Sequence, residues 1–289
     1  VDLVAVSFVR SADDVTAVRT RCKELGRADL PLVAKIEKHE ALDAIDGILK
    51  VADGIMVARG DLGVEIPIEK VPLAQKMLIR KANAAGRPVV TATQMLLSMV
   101  TAPRPTRAEA TDVANAILDG TDAVMLSEET TIGEHPVAAV ETMARLAADV
   151  ESEFPHDDWL RRFPCGAGEN LNDAVAGAAV ELAADIGATA IIICTVSGGT
   201  ARMVIKRRPR PMLVVVTPDA ATQRVLTVGW GLRPILMDAT DDFEVIEAEA
   251  VALARDAGLV RSGDSVVLTA GLPFEIRGTT NLIKVAVVE

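Results

Sequence analysis

The sequence predicts an α/β protein: a partial (β/α)8 TIM barrel, with five of the eight βα units, followed by a smaller α/β domain with a mostly parallel sheet. Short apolar runs typical of buried strands begin near residues 3, 32, 55, 88 and 123, with helical segments between them. This spacing is the size of a βα unit, and strict alternation of strands and helices implies a parallel sheet. Polar residues follow the strands, as on the active face of a barrel, and a complete barrel needs about 250 residues. We therefore expect three further βα units outside this chain.

The elements of the first domain, residues 1–150, are marked by signals at their ends. Residues 3–8 form the first strand, and the capping pair Ser11 and Asp14 opens the helix after it. A second capping pair, Thr106 and Glu109, opens the helix that follows the fourth strand. The remaining strands are predicted at residues 32–37, 55–58, 88–93 and 123–126, and the remaining helices at about 40–51, 72–85 and 136–150.

A segment with several prolines and glycines, residues 151–170, breaks the alternation and is predicted to be a linker. The second domain, residues 171–289, begins with a helix that Asn172 caps. Strands are predicted at residues 190–194, 212–216, 234–237, 265–269 and 282–288, and further helices at about 200–207, 220–227 and 243–257.

Composition excludes several classes of function. The net charge is −11 and only 2% of the residues are aromatic, which argues against a nucleic-acid surface. No apolar run approaches the ~20 residues of a membrane span, and no signal peptide opens the chain. Three scattered cysteines favour a reducing, cytoplasmic location. The chain begins without Met inside an apolar run, so we expect it to be a piece of a longer protein.

The most informative polar residues begin at the end of the second predicted strand. Lys35 and Glu37 are two residues apart there, and side chains alternate along a strand, so both lie on one face. Ala34 and Ile36 are then expected to point into a hydrophobic layer.

The third predicted strand ends in Arg59, Gly60 and Asp61. If the two strands are parallel neighbours, Glu37 and Asp61 converge at one edge of the sheet. A Glu and an Asp are a normal protein contribution to a Mg²⁺ site that water and phosphate complete. The charges of Lys35 and Arg59 would suit an anionic substrate.

Several longer motifs in this order resemble pyruvate kinase. The matching pieces cover residues 5–10, 35–37, 56–63, 92–96, 103–109, 112–116 and 125–127. Residues 171–289 are similar to the C-terminal domain of that family, which serves regulation and oligomerisation, although the match there is looser.

The resemblance implies phosphoryl transfer from phosphoenolpyruvate to ADP, giving pyruvate and ATP, the last step of glycolysis. Lys35 matches the lysine that stabilises the moving phosphoryl group. Glu37 and Asp61 match the ligands of Mg²⁺ or Mn²⁺, and Thr93 matches the threonine near the enolate carbon. The segment that receives the substrate carboxylate matches Ala58, Arg59 and Gly60.

The chain departs from the family in two ways. The first three barrel strands and the inserted lid have no counterpart, and those strands supply the K⁺ ligands and a substrate arginine. We therefore expect the isolated chain to be inactive. Glu128 stands where the common family form has glycine, which puts an extra carboxylate near the mouth of the site.

A turn between a strand and a helix in the second domain is a candidate effector site. Its residues are Thr195, Ser197, Gly198, Gly199 and Thr200. Free N–H groups at such a turn suit a phosphate, and some family members bind a sugar phosphate there; a nucleotide is the other effector considered. A plain structural turn is the alternative. The basic run 206–210 is expected to be a solvated face at a helix C-terminus.

Two other hypotheses stay open. One is a Mg²⁺-dependent aldolase or lyase that holds a pyruvate enolate on a related barrel, independent of ADP. The other is a non-catalytic regulatory homologue that binds neither Mg²⁺ nor phosphoenolpyruvate. The resemblance also implies a homotetramer.

Overall fold

The computed structural model describes residues 1–163, 171–240, 242–272 and 279–289. These residues form two compact units, Val1–Pro155 and His156–Glu289, so the division falls within the segment predicted to be a linker. None of the described helices combines the length and hydropathy that crossing a bilayer requires.

The first unit is a parallel sheet with helices between its strands. Its strands are β1 (Val4–Val6), β2 (Leu32–Ile36), β3 (Gly54–Ala58), β4 (Val89–Ala92) and β5 (Ala123–Met125). Its helices are α1 (Ala12–Glu24), α2 (His39–Asp43), α3 (Ile45–Val51), α4 (Arg59–Glu65), α5 (Val71–Ala84), α6 (Arg107–Leu118), α7 (Glu128–Thr131) and α8 (Pro136–Ser152).

The strands are ordered β1-β2-β3-β4-β5, and each pairs in parallel with the next. This sequential order confirms the predicted run of barrel units. Ile36 pairs with Val57 and Ala58 pairs with Ala92, so the carboxyl ends of β2, β3 and β4 lie together. Polar residues that follow these strands are therefore brought to one edge of the sheet.

One face of this sheet forms the core under the helices. Ala34 and Ile36 are fully buried there, as predicted, among residues of the neighbouring strand such as Ile55 and Val57. Side chains from the covering helices complete the cluster, including Val15, Ile48, Leu78 and Ile79.

Several helical segments differ from the prediction. Helix α7 was not predicted, and a helix over His156–Arg162 lies within the segment predicted to be a linker. The helix predicted over residues 40–51 is interrupted at Ala44, which separates α2 from α3. Helix α4 begins at Arg59, directly after β3, where the sequence predicted polar residues at the strand end but no helix. Asp61 therefore lies in the first turn of a helix.

The second unit is a three-layer α/β arrangement. In chain order it contains α9 (His156–Arg162), α10 (Leu171–Asp185), β6 (Ala190–Cys194), α11 (Gly199–Ile205), β7 (Met212–Thr217), α12 (Ala220–Leu226), β8 (Leu232–Leu236), α13 (Phe243–Asp256), β9 (Ser265–Ala270) and β10 (Leu282–Val287). The sheet order is β10-β9-β6-β7-β8, with only β10 antiparallel among these strands, which confirms a mostly parallel sheet. Ile191 and Ile193 face one hydrophobic cluster and Ile192 the other, because side chains alternate.

The prediction that the basic run 206–210 is solvated is wrong for most of its length. Lys206, Arg207 and Arg208 are all buried, with 9%, 1% and 0% of their surface exposed. Asp173 of α10 accounts for the first two, because its carboxylate lies 2.6 Å from Lys206 Nζ and 2.8 Å from an Arg207 amino group. This carboxylate, 33 residues before Lys206, offsets part of the cost of desolvating Lys206 and Arg207. The Arg208 guanidinium instead donates to the Ile205 carbonyl oxygen at 2.8 Å and lies over the Trp230 ring.

Candidate active site

Lys35 and Glu37 form a close ion pair at the carboxyl end of β2. Lys35 Nζ lies 2.5 Å from Glu37 Oε1 and also donates a hydrogen bond of 3.0 Å to Ser7 Oγ. Glu37 is 1% exposed, and its second oxygen accepts a 2.7 Å hydrogen bond from the Phe8 amide. The two side chains share one face of the strand, as their spacing predicted.

The segment after β1 supports this pair, although no local pattern in the sequence predicted a role for it. Phe8 has a φ of 59°, an unusual conformation for a residue with a side chain. That conformation is the one in which its amide reaches Glu37. The signal was present, since Ser7 and Phe8 belong to one of the family-like motifs, but nothing local showed which residue they contact.

Asp61 is exposed in the first turn of α4. Within the described part of the chain its carboxylate has no hydrogen bond or ion pair and is therefore available to a ligand. Glu37 follows Ile36, which pairs with Val57 of β3. The two acids therefore follow neighbouring strands at the same edge of the sheet.

Arg59 does not present its charge as predicted. Its guanidinium donates to the carbonyl oxygens of Ala92 (3.2 Å) and Thr93 (2.7 Å) and forms an ion pair of 2.6 Å with Asp112. Its side chain is only 12% exposed. The expectation that Arg59 offers its side chain to an anionic substrate does not fit these contacts, because internal partners occupy the guanidinium.

Thr93 follows β4 with a φ of 70°, and Gln94 after it has a φ of 54°. The Thr93 hydroxyl accepts a 2.8 Å hydrogen bond from the Gly60 amide and donates one of 2.6 Å to the Ala92 carbonyl. A Cβ at Gly60 would lie 3.5–3.8 Å from Thr93 side-chain atoms, which is ordinary contact. The structure thus joins Thr93 directly to the segment that begins α4.

Glu129 is a further buried acid that the sequence analysis did not single out. It is 1% exposed and accepts hydrogen bonds from the amides of Leu96 (3.0 Å) and Ser127 (2.8 Å). One carboxylate therefore ties the loop after β4 to the loop after β5. Glu128, the departure from the family pattern, is exposed at the start of α7 and leaves this contact intact.

The candidate effector turn of the second unit lies between β6 and α11. The Thr195 hydroxyl accepts from the Gly198 amide at 3.1 Å, and the Thr200 hydroxyl lies 2.7 Å from that of Thr280. Gly198 has a φ of 77°, and a Cβ there would meet Leu226 at 2.9 Å. These contacts account for a structural turn; Ser197 and Gly199 remain partly exposed.

The sequential parallel sheet, with Lys35, Glu37, Asp61 and Thr93 at neighbouring carboxyl ends, defines a protein of the βα-barrel class with a polar site at its active edge.

Comparison with known proteins identifies the family. The family model for the barrel domain of pyruvate kinase matches residues 1–140, and the model for its alpha/beta domain matches residues 173–286. Pyruvate kinase of Clostridium acetobutylicum is 48% identical over 289 residues, which are 100% of this chain and 61% of that protein. Pyruvate kinase of Bacillus licheniformis is 48% identical over 288 residues, covering 100% of this chain and 49% of that protein.

A crystal structure of a pyruvate kinase from Cryptosporidium parvum superimposes on the whole chain with a TM-score of 0.94 and 39% identity, and 59% of that protein is covered. The chain belongs to the pyruvate kinase family. It spans about half to three fifths of the length of the relatives that it matches.

Proposed function

We propose that the protein containing this chain transfers a phosphoryl group from phosphoenolpyruvate to ADP, forming pyruvate and ATP in the cytoplasm. The observation that supports this most directly is the Lys35–Glu37 pair, a cation 2.5 Å from a buried carboxylate at the carboxyl end of a barrel strand. Family membership supplies the reaction, and the geometry provides groups with suitable charge. Phosphoryl transfer relies on positioning and charge stabilisation more than on covalent chemistry.

Lys35 is the group that would stabilise the transferred phosphoryl group. Its side chain is 25% exposed, and its ammonium is positioned by Glu37 and by the Ser7 hydroxyl, so its direction is set before a ligand arrives. A preorganised cation stabilises developing charge at little reorganisation cost.

Thr93 would lie near the enolate carbon and take part in its protonation. Ala58, Arg59 and Gly60 would receive the substrate carboxylate. Because the Arg59 guanidinium has internal partners, this segment would act through its backbone.

Glu37 and Asp61 would hold Mg²⁺ or Mn²⁺. The residues fit such an ion: both offer carboxylate oxygens, Glu37 already lies against one cation, and Asp61 is exposed. When bound, the ion would withdraw charge from the oxygens of the substrate. Among the described residues, the one group of three or more close metal-ligand side chains is His39, Glu40 and Glu65, so Glu37 and Asp61 would need substrate and water to complete a site. Ligands for K⁺ would come from outside this chain.

A homotetramer is the assembly that we propose, with the second unit in regulation and oligomerisation. Apolar residues that are largely exposed in the first unit support an interface, notably Val64, Ile68 and Leu73. In the second unit, β10 lies at the edge of its sheet, with Val285 and Val287 exposed. An unpaired strand edge of this kind is a ready site for pairing with another chain.

We also propose that residues 195–200 bind a sugar-phosphate or nucleotide effector. Partial exposure of Ser197 and Gly199 supports it. The test is whether an added sugar phosphate or nucleotide changes the kinetics of the complete protein and whether Ser197→Asp removes that response.

The experiment that tests the proposed reaction measures ATP formation from phosphoenolpyruvate and ADP. The protein is completed by joining residues 1–289 to the part of the Clostridium relative that this chain does not match. Lys35→Met should lower kcat by about a hundredfold or more, while Lys50→Met, at an exposed lysine of α3, should not. Full activity in Lys35→Met would remove Lys35 from the reaction, and pyruvate chemistry without ADP would favour the aldolase hypothesis.

A further inference from the structure

We propose that Arg59 is a positioning residue: together with Asp112 it holds the turn at Thr93 and Gln94 in its left-handed conformation, and thereby directs the Thr93 hydroxyl at Gly60. The proposal rests on the proposed function for its kinetic consequences. It replaces the sequence-based role of Arg59 as a side-chain ligand of the substrate.

The turn has a conformation that its residues do not favour. Thr93 and Gln94 have φ angles of 70° and 54°, and neither is glycine. A β-branched residue with positive φ is a genuine outlier, and such backbone persists only where the surrounding structure holds it. Contacts from neighbouring residues must therefore keep Thr93 and Gln94 in this conformation.

The Arg59 guanidinium contacts the turn before, within and after the strained residues. It donates to the carbonyl oxygen of Ala92 at 3.2 Å, to that of Thr93 at 2.7 Å and to Met95 Sδ at 2.8 Å. A planar guanidinium can bind several acceptors in one fixed arrangement, which an ammonium cannot reproduce.

Other elements hold the guanidinium itself. Both Asp112 oxygens lie within 2.7 Å of one Arg59 amino group, and Asp112 belongs to α6. Gln75 of α5 accepts from the same amino group at 3.3 Å and in turn donates to Asp119 at 3.2 Å. The surroundings of the Arg59 guanidinium are therefore built from the end of β4 and the turn after it, α5 and α6, and these contacts occupy the guanidinium.

The Thr93 hydroxyl links the turn held by Arg59 and Asp112 to the proposed substrate-binding segment. It accepts from the amide of Gly60, within the segment proposed to receive the substrate carboxylate. If the turn relaxes, Thr93 and Gly60 lose their mutual alignment while Lys35, Glu37 and Asp61 stay in place. Loss of the Arg59 contacts with the turn should therefore lower kcat more than it weakens substrate binding.

The kinetic experiment uses the completed protein described above. Arg59→Lys should lower kcat about ten- to hundredfold, as expected for loss of charge-assisted hydrogen bonds, with KM for phosphoenolpyruvate changed less than about threefold. Adding Gln94→Gly to that variant should recover much of the loss, because glycine adopts positive φ freely. The matched control is Arg19→Lys, which alters an Arg–Asp pair near the start of β3, where Asp53 precedes the strand.

A second measurement does not depend on activity. In the chain of residues 1–289, hydrogen exchange of the Gly60 amide should be about tenfold faster in Arg59→Lys, and unchanged in Arg19→Lys. If Arg59→Lys does not fold, Asp112→Asn, which loosens the same guanidinium, takes its place in both measurements.

The proposal is overturned if Arg59→Lys raises KM for phosphoenolpyruvate with kcat intact, because the guanidinium would then contact the substrate. Failure of Gln94→Gly to recover kcat, or an unchanged exchange rate at Gly60, overturns it too. If the unsubstituted completed protein forms no ATP, the proposed function fails, and the exchange measurement still decides whether Arg59 holds the turn.

Discussion

Replacing Asp173 by asparagine should strongly destabilise the second unit. Asp173 is 4% exposed, and its carboxylate lies 2.6 Å from Lys206 Nζ and 2.8 Å from Arg207. Arg207 is 1% exposed. An amide at position 173 keeps the volume but leaves two buried cations facing an uncharged group.

The magnitude follows from this burial. Removing one partner of a buried ion pair costs about 3–5 kcal/mol, because the remaining charge stays desolvated without compensation. The two cations share one carboxylate, so the two pair energies are not added. Since a domain is stable by about 5–15 kcal/mol, we expect roughly a fifth or more of the stability to be lost.

The assay is urea unfolding followed by tryptophan fluorescence. Trp159 and Trp230 are the only two tryptophans, and both lie in the second unit, so the signal reports on that unit. Asp173→Asn should lower the midpoint without changing the slope of stability against urea concentration. Asp256→Asn is the control: its carboxylate is 71% exposed and 3.7 Å from Arg255, and such surface pairs contribute about 0–1 kcal/mol.

Lowering the pH should remove the difference in stability between Asp173→Asn and the unsubstituted protein. Burial by itself would raise the pKa of Asp173, but hydrogen bonds from Arg207 and Lys206 outweigh it and hold the pKa below its ordinary value. The stability from this carboxylate is therefore present above the ordinary carboxyl pKa of about 4 and is lost as pH falls below it. A loss of less than 1 kcal/mol at pH 7, or one that persists unchanged at low pH, would refute this account of the buried cations.

Three further predictions concern other parts of the chain. Gly177→Ala should lower the urea midpoint of the second unit even though alanine is favoured over glycine in a helix by about 1 kcal/mol, because its Cβ would lie 3.0–3.2 Å from the buried Arg207 guanidinium; a raised midpoint would show that Arg207 moves aside. Burial works to raise the pKa of Glu109, but hydrogen bonds from Ser98 and Thr106 hold it below its ordinary value. Glu109→Gln should therefore lower the free energy of unfolding of the first unit by about 1 kcal/mol near pH 7, seen as a lower melting temperature, with the two forms converging below pH ~4. Burial raises the pKa of Cys194 to about 12, so this thiol should resist alkylation at pH 8 until the protein is unfolded, as mass spectrometry would show.

Much of the fold was predictable because its signals are local. Alternation of apolar runs and helices requires only neighbouring residues, and it predicted the order of β1 to β5 that the sheet adopts. The Thr106 and Glu109 capping pair is present, with Glu109 accepting from the Thr106 amide at 2.7 Å. The break between α2 and α3 at Ala44 was not predictable, because no glycine or proline marks it.

The sequence by itself determined the class of fold, the placement of Lys35 and Glu37 on one face, and the family. These depend on a repeat of two or about 3.6 residues, and on motifs read in order along the chain. Only the tertiary structure decided what Arg59, Lys206 and Arg207 do. The carboxylates that engage them lie 53 and about 34 residues away, and whether a cation meets water or such a partner depends on packing, which no local pattern encodes.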